Sequence, residues 1–170
     1  MNESMLDRLA IKLVDQKVKF VFAESCTSGL LSATLSKISG VSEFLCGSFA
    51  TYRNQSKIDW LGVCADVIER ETAVCETVAN QMATGALNKT IEAEWSASVT
   101  GHLGPGAPAE QDGQIFVGIG KRVEAGPPNS ADPVAEVIEH RLRETTRLSR
   151  QNEAAEFVLE QLIKAIEQSK

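Results

Sequence analysis

FAESCTSGLLSATL, residues 22–35, decides how the first half of the chain is read. A run of β-formers leads into it and a helical pattern leads out. Between them Glu24, Ser25, Cys26, Thr27 and Ser28 are crowded together, followed by Gly29. A strand that ends where a helix begins is the repeating unit of α/β folds, and ligands bind at the carboxyl ends of such strands. The unpaired N–H groups of a helix start suit a phosphate or a developing oxyanion. Two readings of the junction stand side by side. In one, Ser25 or Thr27 only caps the helix. In the other, Ser25 is a nucleophile and the nearby amides receive the charge that its attack creates. The pattern is not the GxSxG elbow of α/β-hydrolases.

Working outward, Leu6, Leu9, Ala10, Leu13 and Val14 recur at helical spacing, which predicts an amphipathic helix over 3–15. KVKFVFA, 17–23, alternates and reads as a strand. After the junction, SGLLSATLSKI reads as a helix ending near Ser39-Gly40. FLCGSFATY, 44–52, is a second strand, and SKIDWLGV a short helix stopped at Gly62. ETAVCETVANQMATGALN, 71–88, reads as one helix with Val74, Val78, Met82 and Ala86 four apart. WSASVTG, 95–101, is a buried strand running into the Gly/Pro loop GHLGPGAPAEQDG, and QIFVGIGKRV, 114–123, is the next strand. The breaker-rich turn EAGPPNSADP, 124–133, joins it to VAEVIEHRLRE as a hairpin. A helix over 148–167, carrying Val158, Leu159, Leu162, Ile163 and Ile166, closes the chain. This order predicts one domain, 1–170, of class α/β: a three-layer αβα sandwich with a mixed, mostly parallel sheet.

The 170 residues are 43% hydrophobic and 24% charged, with a net charge of −6. That balance fits a globular chain and argues against a phosphate-tracking nucleic-acid binder. No apolar run approaches the roughly 20 residues of a membrane span, and MNESMLDRLA is no signal sequence. The expectation is a cytoplasmic protein with reduced thiols, binding neither membrane nor nucleic acid. Cys26, Cys46, Cys64 and Cys75 form no CxxC pair and the chain has two histidines, so a zinc site is poorly supported.

A serine nucleophile needs a base. His140 lies on the last strand and is expected to face solvent, whereas His102 sits in the Gly/Pro loop as a base or substrate contact. Lys57 is flanked by Ile58, Trp60 and Leu61. It is either a solvated surface lysine or a buried neutral one that deprotonates Ser25. Lowering a lysine from about 10.4 to about 7 costs roughly 4–5 kcal/mol, at about 1.36 kcal/mol per unit. Cys26 is an alternative nucleophile in the same field, or a buried inert thiol. The GHLGPG loop, entered through Thr100, is a second candidate ligand loop. Thr100 is expected to point into the cleft. The loop has the spacing of neither a P-loop nor GxGxxG.

Taken together, these segments resemble one family. AESCTSGLLSATLSKISGVSEFLCGSFATYRNQSKIDWLGV is similar to the AESCTGG…TY-x-N-x-x-K-x-x-L-GV signature of the CinA C-terminal family. That family includes the nicotinamide-nucleotide amidohydrolases, or NMN deamidases. SASVTGHLGPGAP resembles its VTG-x-x-GPGG loop. The resemblance implies an αβα fold and hydrolysis of the carboxamide of nicotinamide mononucleotide to nicotinic acid mononucleotide and ammonia, without metal or cofactor. It implies that Ser25 is the nucleophile, that Lys57 activates it, and that the Tyr52 hydroxyl relays a proton or positions the lysine. The amides of Cys26 and Thr27 become the candidate oxyanion site, with Ser28 and Gly29 beside it. Thr100 and Gly101 shape the pocket with His102. Arg143, Arg147 and Arg150 are candidates for the substrate phosphate, the alternative being a solvated helix start. The family usually has Gly where this chain has Ser28, and a small or aliphatic pair in place of His102 and Leu103. Those departures leave open an amidohydrolase acting on another amide, or a non-catalytic nucleotide- or partner-binding paralogue. The resemblance also implies a homodimer or higher homo-oligomer. It implies the stand-alone form of the domain, which in many relatives follows a larger one.

Overall fold

The computed structural model describes residues 4–122 and 134–169. Among them, five strands form one sheet in the order β2-β1-β3-β4-β5. These are β1 (Phe20–Glu24), β2 (Leu45–Ala50), β3 (Trp95–Gly101), β4 (Gln114–Lys121) and β5 (Val134–Arg141). β1 pairs in parallel with β2 and β3, and β4 runs antiparallel to both β3 and β5. The sheet is mixed, with four strands running one way and β4 against them. The predicted β4–β5 hairpin pairing is present; the turn 124–133 lies outside the described residues.

Among the described residues six α-helices cover the two faces: α1 (Met5–Val14), α2 (Leu30–Leu35), α3 (Asn54–Leu61), α4 (Ala65–Glu71), α5 (Glu76–Lys89) and α6 (Arg147–Gln168). On one face α1, α2 and α6 bury Leu13, Leu31, Val158 and Leu162 against Phe20 and Phe22. On the other, α3, α4 and α5 bury Leu61, Val67, Val78 and Met82 against Val21 and Ala23. Alternate residues of β1 therefore feed opposite cores, and every residue of the strand is buried. A strand covered on both faces is what a central parallel position requires. The result is the three-layer sandwich expected.

Several boundaries differ from the sequence reading, among them the end of α2, which falls at Leu35 rather than near Ser39-Gly40. Lys17 takes a left-handed φ of 57°, which delays β1 to Phe20. Ser28 and Gly29, at φ 52° and 95°, turn the chain before α2 can begin. Thr72, at φ 71°, breaks the single helix predicted over 71–88, and α4 before it was not foreseen. β2 stops at Ala50, which places Thr51 and Tyr52 beyond the sheet.

Close packing fixes α3 and α5. Ser96 and Ser98 of β3 donate to the carbonyls of Ala83 and Ala79 on α5, at 2.8 and 2.6 Å. A Cβ on Gly118 of β4 would stand 2.6 Å from the Ala79 carbonyl oxygen, so glycine there lets the helix sit down on the sheet. A Cβ on Gly85 of α5 would stand 2.1 Å from the carbonyl oxygen of Leu61, the last residue of α3.

Candidate active site

β1 ends at Glu24, and Ser25 follows at the carboxyl edge of the sheet between β2 and β3. The Ser25 amide donates to the Val99 carbonyl of β3 at 3.0 Å, which continues the sheet by one bond. From there the chain turns through Cys26, Thr27, Ser28 and Gly29 into α2.

The capping reading of the junction is corrected. The residue before α2 is Gly29, with no side-chain cap. The Glu24 carboxylate, fully buried, takes the role instead. Its Oε2 accepts from Thr27 Oγ1 at 2.9 Å, the Gly29 amide at 2.9 Å and the Leu31 amide at 3.1 Å. Its Oε1 accepts from the Ser32 amide and hydroxyl at 3.3 and 3.4 Å and from Ser48 Oγ of β2 at 2.8 Å. The helix start is thus occupied by a residue of the chain itself, so it offers no free anion site. Among the described residues neither the Cys26 nor the Thr27 amide donates to a backbone carbonyl. They remain the candidate oxyanion donors.

Lys57 lies in α3 and is only 1% exposed. The solvated-surface reading is therefore excluded. Its Nζ stands 2.9 Å from Ser25 Oγ, 2.7 Å from the Thr51 carbonyl oxygen and 3.5 Å from that of Tyr52. Burial pulls the ammonium from its ordinary 10.5 down to about 8. The two carbonyls match the two N–H bonds of a neutral amine, which leaves its lone pair for the Ser25 hydroxyl. Arg53 starts α3 and Gly62, at φ 72°, ends it; the turn between carries Lys57 inward while Asp59 and Trp60 face solvent.

Tyr52 meets Lys57 through its backbone carbonyl. Its side chain is 54% exposed and its hydroxyl accepts from Arg147 Nη2 at 2.8 Å. The expected hydroxyl relay is not what this geometry provides. Arg147 also donates through Nη1 to the Gly104 carbonyl at 2.6 Å. It joins the β2–α3 junction, the Gly/Pro loop and the start of α6 at the rim of the site.

Arg150, by contrast, is committed to the fold. Its Nη1 and Nη2 form a two-pronged pair with Asp112 at 2.8 and 2.7 Å, and its Nε donates to the Glu144 carbonyl. The guanidinium holds the Asp112 carboxyl below the usual carboxylate range. A phosphate contact from Arg150 is not supported. The Arg143 amide donates to Glu153.

Thr100 does not point into the cleft: its hydroxyl donates 2.7 Å to the Ala73 carbonyl. A Cβ on Gly101 would stand 2.4 Å from Ile115 Cγ2, so this glycine serves the packing of β3 on β4. His102 is tied to β4 by its backbone, and its Nε2 is buried without a partner among the described residues. The Thr51 hydroxyl, beside the lysine's carbonyl partner, is likewise unpaired. His140 does not simply face water; its ring stacks on Phe157 of α6 at 4.0 Å. Burial pushes the Cys26 thiol up to about 12, so it is inert as a nucleophile at neutral pH. Ser28 is exposed in the turn that follows Ser25.

Two participants escaped the sequence reading. Glu24 stands among the residues crowded at the strand–helix junction, and its residue type alone assigns it no role. Gln151, one turn into α6, donates to the Cys26 carbonyl at 3.1 Å across 125 residues of sequence, and no local pattern announces such a contact. Among the described residues no group of three or more His, Cys, Asp or Glu side chains is placed to hold a metal ion, and no helix is long and apolar enough to cross a membrane.

Comparison with known proteins points one way. Residues 2–166 match the family model of the CinA C-terminal domain. A CinA-like protein from Prochlorococcus marinus strain MIT 9515 is 34% identical over 139 residues, covering 81% of this chain and 31% of its own length. A CinA-like protein from Chlorobaculum tepidum is 38% identical over 128 residues, 74% of this chain and 30% of its own. The chain thus spans about three tenths of the length of these relatives. Among solved structures, the competence/damage inducible protein CihA from Agrobacterium tumefaciens superposes with a TM-score of 0.82 at 30% identity, over 98% of each chain. An Escherichia coli protein of the competence-damaged (CinA) superfamily gives 0.78 at 25% identity, over 96% of this chain and 89% of that one.

Proposed function

This chain belongs to the CinA C-terminal domain family, and we propose that it is an amidohydrolase that converts nicotinamide mononucleotide to nicotinic acid mononucleotide and ammonia. The observation that carries the reading is the 2.9 Å contact between Lys57 Nζ and Ser25 Oγ, both buried at the carboxyl end of the central strand. A lysine driven into an apolar core without a carboxylate partner is an expensive feature. A depressed lysine against a serine hydroxyl is what activation of an acyl-transfer nucleophile needs.

The chemistry follows from the atoms in place. Neutral Lys57 takes the Ser25 proton as Oγ attacks the carboxamide carbon. The carbonyl oxygen becomes an oxyanion and is received by the Cys26 and Thr27 amides. Lys57 then gives its proton to the departing nitrogen, ammonia leaves, and a seryl ester remains. Water attacks that ester with Lys57 again as base, releasing the acid and restoring Ser25. Arg147, exposed at the rim with its partners Tyr52 and Gly104, is the residue best placed to meet a substrate phosphate. The functional unit is inferred to be a homodimer or larger.

A second reading is favoured by Ser28, whose side chain stands where glycine would leave open space: the same chemistry on another amide. The test is ammonia release from nicotinamide mononucleotide, nicotinamide riboside, nicotinamide and unrelated carboxamides. Release that depends on the phosphate is expected. Equal or faster release from an unphosphorylated amide would replace the substrate and keep the mechanism; release from none of them would overturn both.

A further inference from the structure

We propose that Glu24 is a positioning residue for acyl transfer: its buried carboxylate holds the turn 25–29 in the arrangement that presents Ser25 to Lys57 and leaves the Cys26 and Thr27 amides free of backbone carbonyl partners. The proposal rests on the reading of Ser25 as nucleophile. The turn is inherently awkward, because Ser28 and Gly29 are consecutive left-handed residues and only glycine adopts that region freely. Something must over-determine it. On one side Ser25 is tied to Val99 through its amide, and its carbonyl accepts from the Ser28 amide at 3.2 Å. On the other side Glu24 takes Thr27 Oγ1, the Gly29 amide and the Leu31 amide on a single oxygen. The Cys26 and Thr27 amides lie between these anchors. The second carboxylate oxygen reaches Ser32 on α2 and Ser48 on β2, so the turn is referenced to helix and sheet together.

All six contacts come from donors, and three are backbone N–H groups that cannot turn round to accept. A carboxylate is the side chain that satisfies them. Glutamine is the same size and has one oxygen. Its NH2 must face at least one of the fixed N–H groups, whichever way it is placed. The site also explains why the start of α2 is no place for a substrate anion: the chain has put its own there.

The experiment uses the whole chain with a fluorophosphonate probe, whose labelling of Ser25 is verified by its loss in Ser25→Ala, together with kcat, KM and the pH–rate profile for nicotinamide mononucleotide. Glu24→Gln, folded by circular dichroism and assayed well below its Tm, is expected to label on the order of 10- to 100-fold more slowly, as for a nucleophile displaced by a fraction of an ångström to an ångström. Its kcat should fall in parallel while KM moves less than about threefold and the midpoint of the pH profile stays put. A purely structural glutamate would lower Tm and leave the rate per folded molecule unchanged, and that result overturns the proposal. A moved pH midpoint with an unchanged plateau also overturns it, since Glu24 would then be tuning Lys57 rather than placing Ser25. Should Glu24→Gln not fold, Ser48→Ala removes one donor from β2; slower labelling at unchanged circular dichroism supports the proposal and wild-type labelling overturns it. Wild-type protein that neither labels nor releases ammonia removes the nucleophile reading itself, whereas normal labelling of Glu24→Gln removes only the role of Glu24.

Discussion

Ser25 and Lys57 are thirty-two residues apart in sequence and stand 2.9 Å apart in the fold. Burial holds the Lys57 ammonium at about 8 against an ordinary 10.5. Two consequences follow with definite signs. On the proposed mechanism activity depends on the neutral amine, so the rate should climb about tenfold between pH 7 and pH 9 and then level off. Stability moves the same way for a different reason. Between about pH 8 and 10.5 the unfolded chain binds a proton that the folded chain does not, so stability rises with pH across that window. Below it the folded protein carries the full penalty of a buried ammonium, on the order of 3 kcal/mol. Lys57→Met should therefore be inactive yet more stable than wild type near pH 7, and the difference should vanish by about pH 10.5. Urea denaturation of both proteins at the two pH values measures it. A Lys57→Met protein that is less stable at pH 7 would mean that the three hydrogen bonds of Nζ outweigh its desolvation.

The elements that bring these residues together are α3, which carries Lys57, and the turn after β1, which carries Ser25. α3 is seated on α5 where Gly85 admits the Leu61 carbonyl. Gly85→Ala places a methyl inside that contact and should cost about 1–3 kcal/mol as overpacking, with a larger relative loss of activity than of folded protein because α3 is what must move. Thermal denaturation and ammonia release on the same sample check the pair of effects; full activity in a destabilised variant would detach α3 from the geometry of the dyad. How much of this was legible beforehand can be judged element by element. β1, β3, β4, α1 and α6 were readable because their apolar residues recur at the strand or helix period. The α4–α5 break was hidden because Thr72 is a non-glycine in a left-handed conformation, and nothing in ETAVCETV marks it. Ser25 and Lys57 were picked out by residue type and by resemblance. Their contact, the burial of the lysine and the commitment of Arg150 to Asp112 depend on packing between distant segments, which no local pattern encodes. Thr100 was misread for a related reason: strand alternation gives two faces but not which neighbour, here the Ala73 carbonyl, waits on one of them.

At the scale of the molecule, the sandwich gathers the candidate catalytic groups at one end of its parallel strands. The turn after β1 supplies Ser25, the chain leaving β2 supplies the Thr51 and Tyr52 carbonyls, and the first turns of α6 supply Arg147 and Gln151. The acidic chain, at net charge −6, presents the exposed Arg147 guanidinium at this rim, bound to a hydroxyl and a carbonyl and, among the described residues, to no carboxylate. That arrangement suits a small anionic substrate better than a polyanion. The account stands on a serine ester formed under lysine control, and the most direct measurement is ammonia release from nicotinamide mononucleotide by wild type, Ser25→Ala and Lys57→Met at pH 8.5. The account predicts turnover in wild type and losses of at least about 100-fold in each variant, with both folded. Turnover that survives in Ser25→Ala, with the protein pure and folded, would contradict it.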